Sequence, residues 1–193
     1  MGINIALIVI SYFLGNISPA ILLGRLYGID IKKEGSGNAG TTNVLRVLGK
    51  KAAVVTLLID ILKGVAAVLL GRYFGGQEIA MICGVAVFCG HIWPAVFRFK
   101  GGKGVATALG VILTTTPLIG GVVLAFALVV IAVSRRVSVG SVTAAIVFPI
   151  AAALYDQSLL IWSVTLAAII LIKHRANIKR IFKGEEPKLN FKK

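Results

Sequence analysis

The chain has 193 residues, 58% of them hydrophobic and 15% charged, and 21 Lys and Arg against 7 Asp and Glu give a net charge of +14. Soluble domains lie nearer half apolar and a quarter charged, so this composition excludes a water-soluble globular enzyme, a disordered chain and a collagen-like repeat. It also speaks against a nucleic-acid binder, because too little polar surface is left to face water on all sides.

A bilayer-spanning helix needs about 20 apolar residues. Residues 3–27 qualify, interrupted by Asn16, Ser18 and Pro19; without a basic segment in front, they read as a retained helix and not a cleaved signal. Residues 52–74 follow, with Asp60 and Lys63 inside, then 79–97, with His91 and Pro94 at the far end. Residues 105–116 are apolar but short, which suits a partial or re-entrant helix. Residues 118–133, 139–154 and 159–172 complete seven candidate spans. Asp60 and Lys63 stand three apart, and charges at depth usually pair, so they read as a mutual ion pair. Cys83 and Cys89 would point about 240° apart on a helix and read as packing residues. Glycines such as Gly64, Gly84 and Gly120 suit close helix packing.

Cytoplasmic flanks carry excess Lys and Arg. The first connection holds Lys32, Lys33, Arg46, Lys50 and Lys51; the second only Arg72; the third Arg98, Lys100 and Lys103. The fourth has no charge, the fifth has Arg135 and Arg136, the sixth only Asp156, and the C-terminal segment is strongly basic. This unbroken alternation predicts an all-α membrane protein of about seven transmembrane helices, some short or partial, with the N-terminus outside and the C-terminus cytoplasmic. It forms one domain, 1–193, with a polar cytoplasmic tail from about residue 183.

Orientation alone does not require the composition of Gly35-Ser36-Gly37-Asn38-Ala39-Gly40-Thr41-Thr42-Asn43. Three glycines permit tight turns that expose successive N–H groups, and the Ser, Thr and Asn side chains add neutral donors. Such a nest binds an anion, above all a phosphate; the plainer alternative is a flexible loop. The third connection repeats the pattern with Gly101, Gly102, Lys103 and Gly104 before a helical run. It lacks the Gly-x4-Gly-Lys-Ser/Thr spacing of a nucleotide triphosphatase, and a basic interfacial turn is its alternative. Two further clusters share that side: Arg135, Arg136, Ser138 and Ser141, and His174, Arg175, Asn177, Lys179 and Arg180. His174 and Asn177 share one helical face, Arg175 and Lys179 another. Positive-inside anchoring is the alternative for both. Two histidines in separate segments do not form a metal ligand set. Two nests imply two phosphate-bearing ligands or one ligand with two phosphates, one of them lipidic because the sites open at the bilayer surface.

These residues carry a resemblance. Residues 35–46 resemble the first signature of the PlsY family, the bacterial membrane-integral acyl-phosphate:glycerol-3-phosphate acyltransferases. Gly90-His91-Ile92-Trp93-Pro94 with residues 100–107 resembles the second, and residues 174–180 with Gly184 and Glu186 the third. The stretch Arg136-x-Ser138-x-x-Ser141 also matches, so the resemblance spans nearly the whole chain. It implies transfer of a fatty acyl group from acyl phosphate to the 1-hydroxyl of glycerol 3-phosphate at the cytoplasmic face of the bacterial inner membrane, giving lysophosphatidate and inorganic phosphate. Neither a cofactor nor a metal is implied, and functional coupling to the enzyme that makes acyl phosphate is. Ser36, Gly37, Asn38, Thr42 and Asn43 would hold one phosphate, with Gly101, Gly102 and Gly104 forming the second cradle. Arg46 and Lys103 would offset phosphate charge, and Ser138, Ser141, His174 and Asn177 would orient glycerol 3-phosphate. An acyl phosphate is already activated, so no protein nucleophile is needed; the hydroxyl proton can pass to His174 as a general base or, in the favoured reading, to the donor's own phosphate. The competing classes are a transporter for phosphate-bearing solutes gated by Asp60 and Lys63, and a metal-dependent lipid phosphotransferase.

Overall fold

The computed structural model describes residues 2–189, and every regular element among them is helical. The chain divides after Thr115 into two compact units. Four stretches are long and apolar enough to cross a membrane, or five if the bent pair at the C-terminal end counts as one span. Apolar side chains face outward, with Val133, Leu154 and Ile161 all more than four-fifths exposed, while Asp60, Lys63 and His91 are buried. That inversion is what a lipid solvent demands.

The first unit begins with α1 (Gly2–Gly15) and α2 (Pro19–Leu26). Residues 16–18 break the run, because Pro19 removes an amide donor and restricts the residue before it. After α3 (Thr41–Val47) comes α4 (Lys50–Ile92), 43 residues long. Straight, α4 would measure about 65 Å. Yet Lys63 Nζ lies 2.8 Å from His91 Nδ1. Gly76, at φ 78°, folds the helix back on itself. Gly71 packs against Ala80, and Gly84 against Val68, so the arms run antiparallel. The two expected spans 52–74 and 79–97 are these two arms. Arg72, near the bend, donates to Thr114 O at 2.7 Å and caps the last carbonyls of α5 (Val105–Thr115). At 11 residues, α5 is about 16 Å long, short of a bilayer core of about 30 Å.

Within the first unit, α1 and α5 both pack on α4, and glycine sets the spacing. A side chain at Gly90 would meet the Tyr12 carbonyl, and one at Gly110 the Ile61 carbonyl. Buried Lys63 joins the segments. It pairs with Asp60 at 2.8 Å and donates to Ile17 O at 2.7 Å and Gly15 O at 3.1 Å, carbonyls left open by the helix break. The expected ion pair is therefore present, and His91 joins it, 3.2 Å from Asp60.

The second unit comprises α6 (Pro117–Ser134), α7 (Val137–Tyr155), α8 (Leu160–Lys173) and α9 (Arg175–Phe182). Here α7 packs on α6, α8 and α9. The α8 and α9 axes bend by 64° at His174. The polar tail expected from about residue 183 is instead folded back through Leu189. Gly184, at φ 73°, lets its amide reach Ile181 O while Glu185 N reaches Arg180 O, the paired bonds of a Schellman motif. Leu189 N then donates to Arg135 O at 2.6 Å. Residues 190–193 lie outside the described residues.

The close approach at Gly90 is testable. Gly90→Ala places a methyl group on the Tyr12 carbonyl, and overpacking of this kind costs about 1–3 kcal/mol. The detergent-solubilised variant is expected to melt several degrees lower. Gly121→Ala, where nothing lies within 4 Å of the added methyl, is expected to melt at or slightly above wild type.

Candidate active site

In the first unit the two glycine-rich loops touch. The second loop doubles back on the end of α4, with Gly101 N donating to Ile92 O and Gly102 N to His91 O, both at 3.2 Å. A side chain at Gly102 would collide with His91 Nε2 and with the Ala39 carbonyl of the first loop. Gly104, at φ 81°, sits against the Phe88 ring. These glycines are needed for close backbone approach, and the approach brings the Lys103 loop onto the Ser36–Asn43 segment.

The first loop differs from the open nest that its composition suggests. Gly35 and Gly37 have φ of 58° and 68°, as tight turning requires. Asn43, 1% exposed, is committed to the loop itself. Its Oδ1 accepts from Ser36 N at 2.8 Å, and its Nδ2 donates to Ile31 O and Glu34 O at 3.0 Å each. Gly37 N donates to Glu34 O and Gly40 N to Asn38 O. Asn43 therefore holds the cradle's shape, where the sequence suggested a direct phosphate contact, and the amides of Ser36, Gly37 and Gly40 are internally paired. The Ser36 and Gly37 positions are exposed, and those of Asn38, Thr42, Arg46 and Lys103 are partly buried.

In the second unit the third-signature residues surround one carboxylate. Glu186, 5% exposed, accepts from Asn177 Nδ2 and from Arg180 Nε, each at 2.7 Å, and its main-chain oxygen accepts from Arg136 Nε at 2.8 Å. Burial raises the Glu186 carboxyl pKa, but the nearby Ser138 hydroxyl and the hydrogen bonds from Asn177 and Arg180 outweigh it and hold the group below the usual glutamate range. His174 Nδ1 lies 2.8 Å from Ile170 O, so that nitrogen carries a proton, because a carbonyl oxygen can only accept. Ser141 Oγ donates to Val137 O one turn back at 2.9 Å. His174 and Asn177 are buried while Arg175 and Lys179 are exposed, matching the two faces expected from spacing.

Two residues carry more than the sequence assigned them. Glu186 stood within the third signature without a role, and its partners lie on elements up to 50 residues away. His91 stood in the second signature, near a span end, without a role. Among the described residues, no three His, Cys, Asp or Glu side chains cluster closely enough to hold a metal ion.

A carboxylate whose folded pKa is depressed stabilises the fold above its unfolded pKa, and that stability is lost as pH falls through the folded value. Glu186→Gln is expected to lower the melting temperature near neutrality. The gap to wild type should narrow as pH falls below about 4.3, the ordinary glutamate value. Melting curves of both proteins across this range check the sign.

The glycerol-3-phosphate acyltransferase family model matches residues 5–184. A glycerol-3-phosphate acyltransferase of Thermoanaerobacter pseudethanolicus is 47% identical over 187 residues, covering 95% of this chain and 94% of that protein. One of Clostridioides difficile is 44% identical, covering 98% and 97%. The crystal structure of PlsY, an integral membrane glycerol 3-phosphate acyltransferase, in its glycerol 3-phosphate form, is similar at a TM-score of 0.92 and 35% identity, covering 97% of this chain and 96% of that one. Its lysophosphatidic acid form gives a TM-score of 0.88. With likeness sustained through both units, this multi-pass membrane protein belongs to the glycerol-3-phosphate acyltransferase family.

Proposed function

We propose that this protein moves a fatty acyl group from acyl phosphate to the 1-hydroxyl of sn-glycerol 3-phosphate, at the cytoplasmic face of a bacterial plasma membrane that it crosses about seven times. The observation that carries this reading is the contact between the two glycine-rich loops at Gly102 and Ala39, which gathers phosphate-compatible groups into one place. The related PlsY structures, in glycerol 3-phosphate and lysophosphatidic acid forms, support the acceptor and the product.

The reaction is written without a protein nucleophile. The acceptor hydroxyl oxygen attacks the acyl carbonyl carbon. The bond from that carbon to the bridging phosphate oxygen breaks, and phosphate leaves with the electron pair. The hydroxyl proton passes to a phosphate oxygen of the donor. The protein's task is then orientation and charge stabilisation. Ser36, Gly37, Asn38 and Thr42 hold one phosphate in a cradle shaped by Asn43, and Gly101, Gly102 and Gly104 let the second loop approach. Arg46 and Lys103 offset phosphate charge. Ser138, Ser141, His174 and Asn177 orient glycerol 3-phosphate, with His174 Nε2 turned to binding and not to general-base work. The donor arrives from an enzyme that makes acyl phosphate.

Purified protein given palmitoyl phosphate and glycerol 3-phosphate, with no metal and no nucleotide, is expected to release phosphate and lysophosphatidate in equal amounts. Phosphate release without lysophosphatidate would sink the reading. Lys103→Ala and Arg46→Ala should each lower turnover about a hundredfold, the loss of about 3 kcal/mol seen for one oxyanion donor. His174→Gln should keep measurable turnover; a folded variant that still binds substrate but shows none would make His174 the base.

A further inference from the structure

Beside the joined loops, and sharing no residue with the groups assigned above, the first unit contains a second basic recess. Arg25, Asp30, Lys32, Val96, Phe97 and Arg98 are among the residues lining a cavity of about 580 Å³. The Phe97 ring draws two cations together, with the Arg25 guanidinium carbon 5.3 Å and the Lys32 ammonium 5.7 Å from its centroid. Burial lowers the Lys32 pKa; Asp30 opposes this, and Lys100 and Arg25 reinforce it. Positive charge is thus crowded around a single lining carboxylate. Such crowding is unfavourable until an anion enters.

The wall that presents Arg98 is strained and pinned. Arg98 and Phe99 are consecutive non-glycine residues in the left-handed region, at φ 55° and 57°. Such a conformation is strained in a non-glycine residue and persists where its surroundings over-determine it. Here Tyr12 Oη donates to Trp93 O at 2.7 Å, Val96 N to Asn16 Oδ1 at 3.3 Å, and Phe99 N to Pro94 O at 2.9 Å. The turn is tied to the first span at two points.

Val96 and Phe97 also line a smaller recess of about 220 Å³, walled by Phe13, Ile17 and Leu22. Those three side chains are exposed on the apolar exterior of α1, of the break after it and of α2. A basic recess therefore opens directly onto an apolar one, across a shared wall.

We propose that this pair of recesses binds an anionic phospholipid of the surrounding membrane that carries a hydroxylated headgroup. The phosphate lies among Arg25, Lys32 and Arg98. The headgroup hydroxyls donate to Asp30, whose Oδ1 already accepts from Lys32 N at 3.1 Å. The acyl chain follows Phe13, Ile17 and Leu22. A zwitterionic headgroup would place its own cation among three others, and a free phosphate would leave the apolar recess unfilled. The proposal stands apart from the acyl-transfer reading, since none of these residues is assigned a part in it.

Native mass spectrometry of the full chain in a mild neutral detergent, titrated separately with phosphatidylglycerol, phosphatidylcholine and inorganic phosphate, tests this. One phosphatidylglycerol is expected to stay bound where phosphatidylcholine and phosphate do not. The double variant R25Q/R98Q should weaken it about thirtyfold, from two basic contacts at an interface. R25K/R98K keeps both charges and should bind within about threefold of wild type, which separates charge from folding. K50Q/K51Q removes two exposed basic residues elsewhere in the same unit and should change nothing. Equal retention of phosphatidylcholine, or equal weakening in K50Q/K51Q, would overturn the site.

Discussion

The first unit depends on one buried ammonium group. Lys63 lies in a helix surrounded by apolar side chains, where an unpaired charge is costly by several kcal/mol. Its partners come from three places: Asp60 one turn away, His91 on the opposite arm of the hairpin, and the Gly15 and Ile17 carbonyls at the break in the first span. Each partner solves a second problem. The carbonyls belong to a helix end that lipid cannot hydrate, and His91 is a polar ring with no water to meet. The break, the hairpin and the ion pair are therefore one structure. The same arrangement disfavours a gate, because a gating lysine must be released and this one donates to both open carbonyls of the break.

That network reaches the candidate site. The His91 carbonyl receives the Gly102 amide, and its ring faces the space where a Gly102 side chain would stand. Gly102 in turn rests on Ala39 of the first loop. A polar cluster inside the hairpin thus supports the loops that the proposed chemistry uses, through backbone contacts that only glycine permits. Glycine here serves proximity as much as anion binding.

Much of this was legible in the sequence, for a physical reason. Hydrocarbon imposes long apolar runs and a charge asymmetry between the two faces, and both are one-dimensional signals. The arms of α4, the break at Asn16 and Pro19, and the family signatures at Ser36, Lys103 and His174 could be read directly. Pairings between distant residues were not legible. Nothing in the local pattern sets His91 against Lys63, 28 positions earlier, or Arg136 against Glu186, 50 positions later. An asparagine in a loop of donors looks the same whether it faces a ligand or its own backbone, and Asn43 faces its backbone. A basic, proline-bearing C-terminal stretch looks like a solvated tail, although Gly184 and Glu186 fold it back through Leu189.

The docked tail changes how the basic clusters should be counted. A sum of positive charge treats every Lys and Arg as available to phosphate. In the second unit, Arg180 is paired with the Glu186 carboxylate and Arg136 with the Glu186 main-chain oxygen. Two cations that spacing would offer to a substrate instead fix the segment that buries Asn177 beside His174 on α9. Their effect on a bound ligand is then indirect, through the placement of neutral donors. Neutral donors suit an acceptor that must be held by its hydroxyls as well as its phosphate, because a hydroxyl needs a directional hydrogen bond more than a net charge. The proposed division of labour follows: cations beside the glycine-rich loops for the anionic groups, and a charge-neutralised, hydrogen-bonded frame around His174 and Asn177 for orientation.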